Sequence, residues 1–134
     1  MWSALEMVNF RSYFELLPNK LDFELTEGGL NLSVGQRQLI CLARALLRRS
    51  KIIVLDEATA SIDQSTDELI QKTIRDQFRD CTVLTIAHRL NTVLDSSRIM
   101  VIDHGQIVEF ESPKVLLEDK NTIFYQMAND ANLA

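Results

Sequence analysis

Apolar residues recur along the chain at two periods, and the alternation between them sets out the elements. Trp2, Leu5, Val8, Tyr13, Phe14 and Leu17 are spaced for one or two short amphipathic helices, which Pro18 stops. Residues 19–32 keep no such period and read as a connection, with Thr26-Glu27-Gly28-Gly29 as its turn. A helix is predicted over residues 33–49. Leu39, Ile40, Leu42, Ala43, Leu46 and Leu47 make its apolar face, and Arg48 and Arg49 fall in the last turn, where cations suit the helix dipole. Ile52-Ile53-Val54-Leu55 is too short for a helix and apolar without alternation, the pattern of a strand covered on both faces, as in a parallel sheet. The helical period returns over residues 63–80 through Leu69, Ile70, Thr73, Ile74 and Phe78, and Val83-Leu84-Thr85-Ile86 reads as a second buried strand. A short helix near residues 90–94 follows. Then come a hairpin of residues 99–102 and 106–110 turning at Asp103-His104-Gly105, and two short helices over residues 113–118 and 122–130. There is no repeat or linker. Strands alternating with helices place the chain in the α/β class, with mostly parallel strands in a layered domain.

Composition narrows the function classes. With 134 residues, 46% apolar and 25% charged, the chain fits one globular domain and excludes collagenous or disordered sequence. A domain of this size buries roughly two-thirds of its unfolded surface, so a real core is possible. No apolar stretch approaches the roughly 20 residues that cross a bilayer. Residues 1–6 lack a basic run followed by an apolar one, so no secretory leader is expected and any membrane role should come through a partner. Fourteen basic residues against 19 acidic give a net charge of −5, which argues against nucleic acid as a ligand. Cys41 and Cys81 lie among apolar residues without CxxC spacing, so the expectation is two buried, reduced thiols rather than a disulfide or a zinc site. None of the four glycines, Gly28, Gly29, Gly35 and Gly105, precedes a lysine, so the GxxxxGK phosphate loop is absent.

Three places nonetheless have residue types that suit phosphate chemistry, each beside a structural alternative. Ser33-Val34-Gly35-Gln36 opens the long helix. Ser33 with Gln36 three residues on is a capping box, and free amides at a helix start beside a glycine also make an anion site. The spacing alone does not choose between the two. Asp56-Glu57 ends the first buried strand, where open α/β sheets place their ligand crevice. Asp56 suits a water-linked Mg²⁺ and Glu57 an attacking water, against the alternative of two solvated loop acids. His88 directly follows the second strand. Alone it reads as a hydrogen-bonded structural residue, but parallel neighbouring strands would set it on the same sheet edge as Glu57. Asp63 most simply caps the helix that begins after it. His104 sits in the hairpin turn and is assigned no function.

Taken in order and spacing, Leu32-Ser33-Val34-Gly35-Gln36, Ile52-Ile53-Val54-Leu55-Asp56-Glu57, Ala60-Ser61-Ile62-Asp63 and His88 resemble the signature motif, Walker B strand, D-loop and switch histidine of the ATP-binding cassette ATPases. The valine inside the signature, Glu27-Gly28-Gly29 ahead of it and Glu57-Ala58-Thr59-Ala60-Ser61 look like the multidrug-resistance-associated (C) branch, in particular a second, C-terminal nucleotide-binding domain. The resemblance implies a partial P-loop NTPase fold with ATP and Mg²⁺ as cofactors. It implies that Ser33, Gly35 and Gln36 clasp the γ-phosphate of ATP held by a partner cassette, while Asp63 lies in the interface between the two. At the chain's own nucleotide, Asp56 would support Mg²⁺ through water, Glu57 would polarise the attacking water and His88 would touch the γ-phosphate. A glutamate at position 57 implies a hydrolysis-competent site in the intact protein.

The same resemblance marks departures. The P-loop strand, a stacking aromatic and the Q-loop glutamine have no counterpart here, so the expected organisation is a partial domain. Residues 1–49 would be the helical-subdomain remnant and signature helix, 50–111 the Walker B to hairpin core, and 112–134 the C-terminal helices. Leu30 stands where relatives commonly carry a polar or acidic residue. The expected function is the ATP-hydrolysing cassette of an exporter, with a second nucleotide-binding domain and transmembrane domains as partners and a cytoplasmic-side location reached only through those domains. The chain alone is expected not to turn over ATP and to be poorly stable. The alternative is a non-catalytic module that docks its signature face on an intact cassette. A soluble chromosome-maintenance ATPase is disfavoured by the acidic charge and the lack of heptads.

Overall fold

A computed structural model describes residues 1–56, 62–86 and 90–133. Its contacts divide the chain into two units, residues 1–86 and 87–134.

In the first unit, α1 (Trp2–Met7) and α2 (Arg11–Leu16) are two short helices separated at Asn9, which takes a left-handed backbone (φ 54). Asparagine tolerates that conformation better than other non-glycine residues. Phe10, Tyr13 and Phe14 pack ring on ring, with centroids 4.8 to 5.7 Å apart. Two 3-10 turns, Lys20–Asp22 and Glu27–Gly29, carry the chain to α3 (Val34–Arg48). Gly28 and Gly29 both sit at positive φ (67 and 64), so the turn requires glycine twice. β1 (Ile52–Asp56), α4 (Gln64–Gln77) and β2 (Thr82–Ile86) follow, and the two strands pair in parallel with Ile52 opposite Thr82 and Asp56 opposite Ile86. The core joins α1, α2, α3, α4 and one face of the strands through Val8, Leu39, Leu42, Ile53, Ile70 and Phe78.

Three expectations about burial are corrected here. The strands are not covered on both faces. Ile53, Leu55 and Val83 pack into the core, whereas Ile52 (63% exposed), Val54 (62%), Leu84 and Ile86 form an open face. An unalternating apolar run predicts two covering layers, and the described residues supply helices to one. Cys41 is exposed rather than buried. At 100° per residue it lies opposite Leu39, Leu42 and Ala43, in line with Arg37, Arg44 and Arg48, so its apolar sequence neighbours are not its spatial ones. Leu47, predicted on the apolar face of α3, is likewise exposed. Cys81 is half-buried, and its thiol donates to the Ser50 carbonyl at 3.1 Å.

The second unit holds a 3-10 turn, Leu90–Thr92, the antiparallel hairpin β3 (Ile99–Asp103) and β4 (Gln106–Glu111), then α5 (Pro113–Glu118) and α6 (Ile123–Asp130). His104 and Gly105 both take positive φ (46 and 77), the backbone of a two-residue primed turn that matches strand twist. Ile99, Leu116 and Phe124 make its core. Among the described residues no helix is long and apolar enough to cross a membrane.

Candidate functional site

The predicted signature residues occupy the first turn of α3. Ser33 is the N-cap, in extended backbone, and its Oγ accepts from the Gln36 amide at 3.1 Å. Gln36 Oε1 in turn accepts from the Ser33 amide at 2.9 Å, which closes the capping box. The box and an anion site are compatible because they use different atoms. Capping occupies acceptors, the Ser33 oxygen and Gln36 Oε1. The donors that an oxyanion needs, the Ser33 hydroxyl hydrogen, the Gln36 side-chain NH₂ and the first-turn amides of Val34 and Gly35, take no part in it.

The loop ahead of this turn is held from inside α3. Arg37 Nη1 donates to the carbonyls of Leu32 (2.9 Å) and Gly29 (3.2 Å). A Cβ on Gly29 would meet Arg37 Cδ at 3.1 Å, so the stem of that arginine lies flat against the turn. Asn31 accepts from the Thr26 amide and hydroxyl, each at 3.2 Å, and donates to the Glu24 carbonyl at 3.0 Å. Leu32 is buried at the foot of the loop, while Leu30 is exposed. Sequence reading missed Arg37. The signal was there, a cation four residues after the cap and behind a double glycine, but the carbonyls it reaches are set by the folded turn.

Gly35 is buried against the start of α4. A Cβ there would collide with Thr66 Cγ2 and approach Ile62 Cγ2 to 3.4 Å. Thr66 is therefore a second residue that the sequence did not point to. Asp63 caps this same α4, accepting from the Thr66 amide at 3.0 Å and the Ser65 hydroxyl at 2.6 Å. Those donors, the Ser65 hydroxyl first and the Thr66 amide next, lower its pKa from 3.8 to about 2. Thus the glycine of the predicted signature and the helix capped by the predicted interface aspartate are in direct contact.

Asp56 is the last residue of β1, exposed at the strand's C-terminal end beside Ile86 of its parallel neighbour. A solvent-facing carboxylate in this place fits a hard divalent cation held through water and phosphate oxygens. Among the described residues no three of His, Cys, Asp and Glu gather as a metal cluster. Glu57 and His88 lie outside the described residues, as do Ala60 and Ser61. The helix-start donors suit phosphate oxygens, and Asp56, on a different element, suits a hydrated divalent cation.

The ABC transporter family profile matches residues 5–60. ATP-binding cassette sub-family C member 4 of Homo sapiens is 55% identical over 134 residues, which is 100% of this chain and 10% of that protein. ATP-binding cassette sub-family C member 3 of Mus musculus is 60% identical over the same 134 residues, 9% of its length. The chain thus spans about a tenth of these curated relatives. Among solved structures, a bacterial Atm1-family ABC exporter with ATP bound superposes with a TM-score of 0.85 at 33% identity, covering 97% of this chain and 23% of that one.

Proposed function

We propose, for a chain that belongs to the ATP-binding cassette transporters and to their C branch, that it is the signature and Walker B portion of an exporter's nucleotide-binding domain. The observation that carries this reading is the contact between the starts of α3 and α4, which joins the exposed Ser33 turn to the helix capped by Asp63.

In this reading the Ser33 hydroxyl, the Gly35 amide and the Gln36 side-chain NH₂ donate to the γ-phosphate of a nucleotide held by a partner cassette. Asp63 lies in the interface between the two. Asp56 would hold the metal ion through water, Glu57 would accept a proton from the attacking water, and His88 would donate to the γ-phosphate on the chain's own side. Bound Mg·ATP supplies the transferable phosphoryl group and the cation that neutralises its charge. Electrostatic positioning of this kind is most of what phosphoryl transfer asks of a protein. The partners are a second nucleotide-binding domain and transmembrane domains that place the cassette on the cytoplasmic side.

The chain has no glycine followed by lysine, so we infer that it does not turn over ATP by itself. A second reading draws on the same turn. The capping box preforms the signature face in this chain alone, and that face could dock on an intact cassette as a non-catalytic module.

Two measurements test the proposal. The purified chain with Mg·ATP should show no more phosphate release than its Glu57→Gln variant. Added to an intact nucleotide-binding domain of a C-branch relative, it should change that domain's turnover in proportion to dose, and Ser33→Arg should abolish the change. Glu57-dependent release by the chain alone would overturn the inference of inactivity. A relative's domain indifferent to the chain would overturn the assigned role of the signature turn.

A further inference from the structure

Charge is distributed unevenly along this acidic chain. Residues 28–55 contain five cations, Arg37, Arg44, Arg48, Arg49 and Lys51, and no aspartate or glutamate. The other residues then carry 14 − 5 = 9 cations against 19 acids, a net −10. Arg37 is used by the carbonyls of Gly29 and Leu32, and Arg11 by Glu6 and Glu15. Arg79 pairs with Asp76, and Arg98 lies over the ring of Phe110. Arg44 and Arg48, like Arg49 and Lys51, have no side-chain hydrogen-bond, ion-pair or ring partner among the described residues, and of these four only Arg44 and Arg48 line a cavity.

These two arginines flank a surface cavity of about 310 Å³ between the C-terminal half of α3 and the beginning of β1. Spaced i,i+4, they stand one above the other on a single helix face and repel. Cys41, one turn earlier on that face, is at the rim, and Ser50 adds a hydroxyl. The apolar part of the lining is Ala45, Ile52 and Ile53, the last a core residue of the strand. The helix dipole accounts for Arg48 in the last turn, but not for Arg44 a turn earlier or for a concavity between them with an apolar floor. Concave sites of this volume with an apolar lining and a few convergent charged groups are the usual form of small-molecule sites, and guanidinium forks match carboxylate and phosphate oxygens.

We propose that this cavity binds small organic anions, an oxyanion held by Arg44 and Arg48 with an apolar body on Ala45 and Ile53. The site is separate from the signature turn, which lies at the opposite end of α3, and it does not depend on the transporter reading.

Cys41 is a built-in reporter. Alkylation of the full chain by neutral iodoacetamide is followed peptide by peptide, with Cys81 as internal control and 1-naphthyl phosphate as probe. At ten times its dissociation constant the probe should slow Cys41 alkylation about tenfold, by simple mass action. Neutral 1-naphthol should not. Arg44→Gln/Arg48→Gln should abolish the protection with unchanged circular dichroism, and Arg44→Lys/Arg48→Lys should keep part of it. Equal protection by 1-naphthol, protection that survives the double glutamine variant, or no protection would each overturn the proposal. Loss of protection in Ser33→Ala would do so too, since it would place the probe at the signature turn.

Discussion

Asp63 holds the start of α4 through the Thr66 amide and the Ser65 hydroxyl, and both bonds are stronger to the ionised carboxylate than to the neutral acid. Its pKa in the fold, about 2, lies below the ordinary 3.8, so its contribution to stability is fully present above the unfolded value and is lost as pH falls toward 2. Asp63→Asn keeps a good capping residue and removes the titration. The difference in urea midpoint between wild type and this variant should therefore be largest at neutral pH and close below pH ~4. Gly35 makes a different prediction. It has ordinary helical backbone but no room, so Gly35→Ala should cost about 1–3 kcal/mol in urea unfolding, the range for overpacking. Thr66→Ser, which removes the colliding methyl, should restore part of that loss in a double-mutant cycle. The caps were legible in the sequence, since Ser33 with Gln36 and Asp63 before a polar helix are local signals. Thr66 and Arg37 were not, because their roles arise from residues brought together by folding.

At the level of elements, periodicity located the strands and the later helices to within one or two positions, except at the end of α4, which stops at Gln77 rather than at residue 80. It did not place the break between α1 and α2 or the 3-10 turns of residues 20–29, and the hairpin turn was readable from His104-Gly105. Burial was less legible. Ile52, Val54, Leu84 and Ile86 are as apolar as their neighbours, and only the number of layers around the sheet decides which face is covered. Cys41 fails for a related reason, since one helix face separates it from the leucines beside it in sequence. In the second unit the sequence did not reveal how α6 begins. Thr122 caps it by accepting from Tyr125, as a local pattern would suggest, but Glu109 of β4 accepts from the amides of both Ile123 and Phe124. One carboxylate thus ties a strand to a helix start 14 residues away. Glu109→Ala strands two donors, and should cost about 1–2 kcal/mol in thermal or urea unfolding. Glu109→Gln keeps an acceptor and should cost less. Equal losses in the two would mean that packing of the side-chain stem, not the cap, fastens α6.

The whole molecule joins well-made local structure to open apolar surface. Each described sheet has two strands, fewer than usually stand alone in water without further cover. The exposed face of β1 and β2 presents four aliphatic side chains, and β3 and β4 expose Ile102, Ile107, Val108 and Phe110. Contiguous apolar surface and unpaired strand edges favour association, and the acidic charge elsewhere opposes it. Mean sedimentation coefficient should therefore rise with protein concentration, and more steeply as salt screens the repulsion. Val54→Thr/Leu84→Thr keeps β-branched or strand-compatible side chains on the open face while removing its apolar character. That variant should stay monomeric to higher concentration without losing stability, because the positions contribute little to the core. If the wild-type chain sediments as a monomer at every concentration, the open faces are not sticky in solution. If the variant unfolds instead, those side chains support the fold in a way their exposure does not indicate.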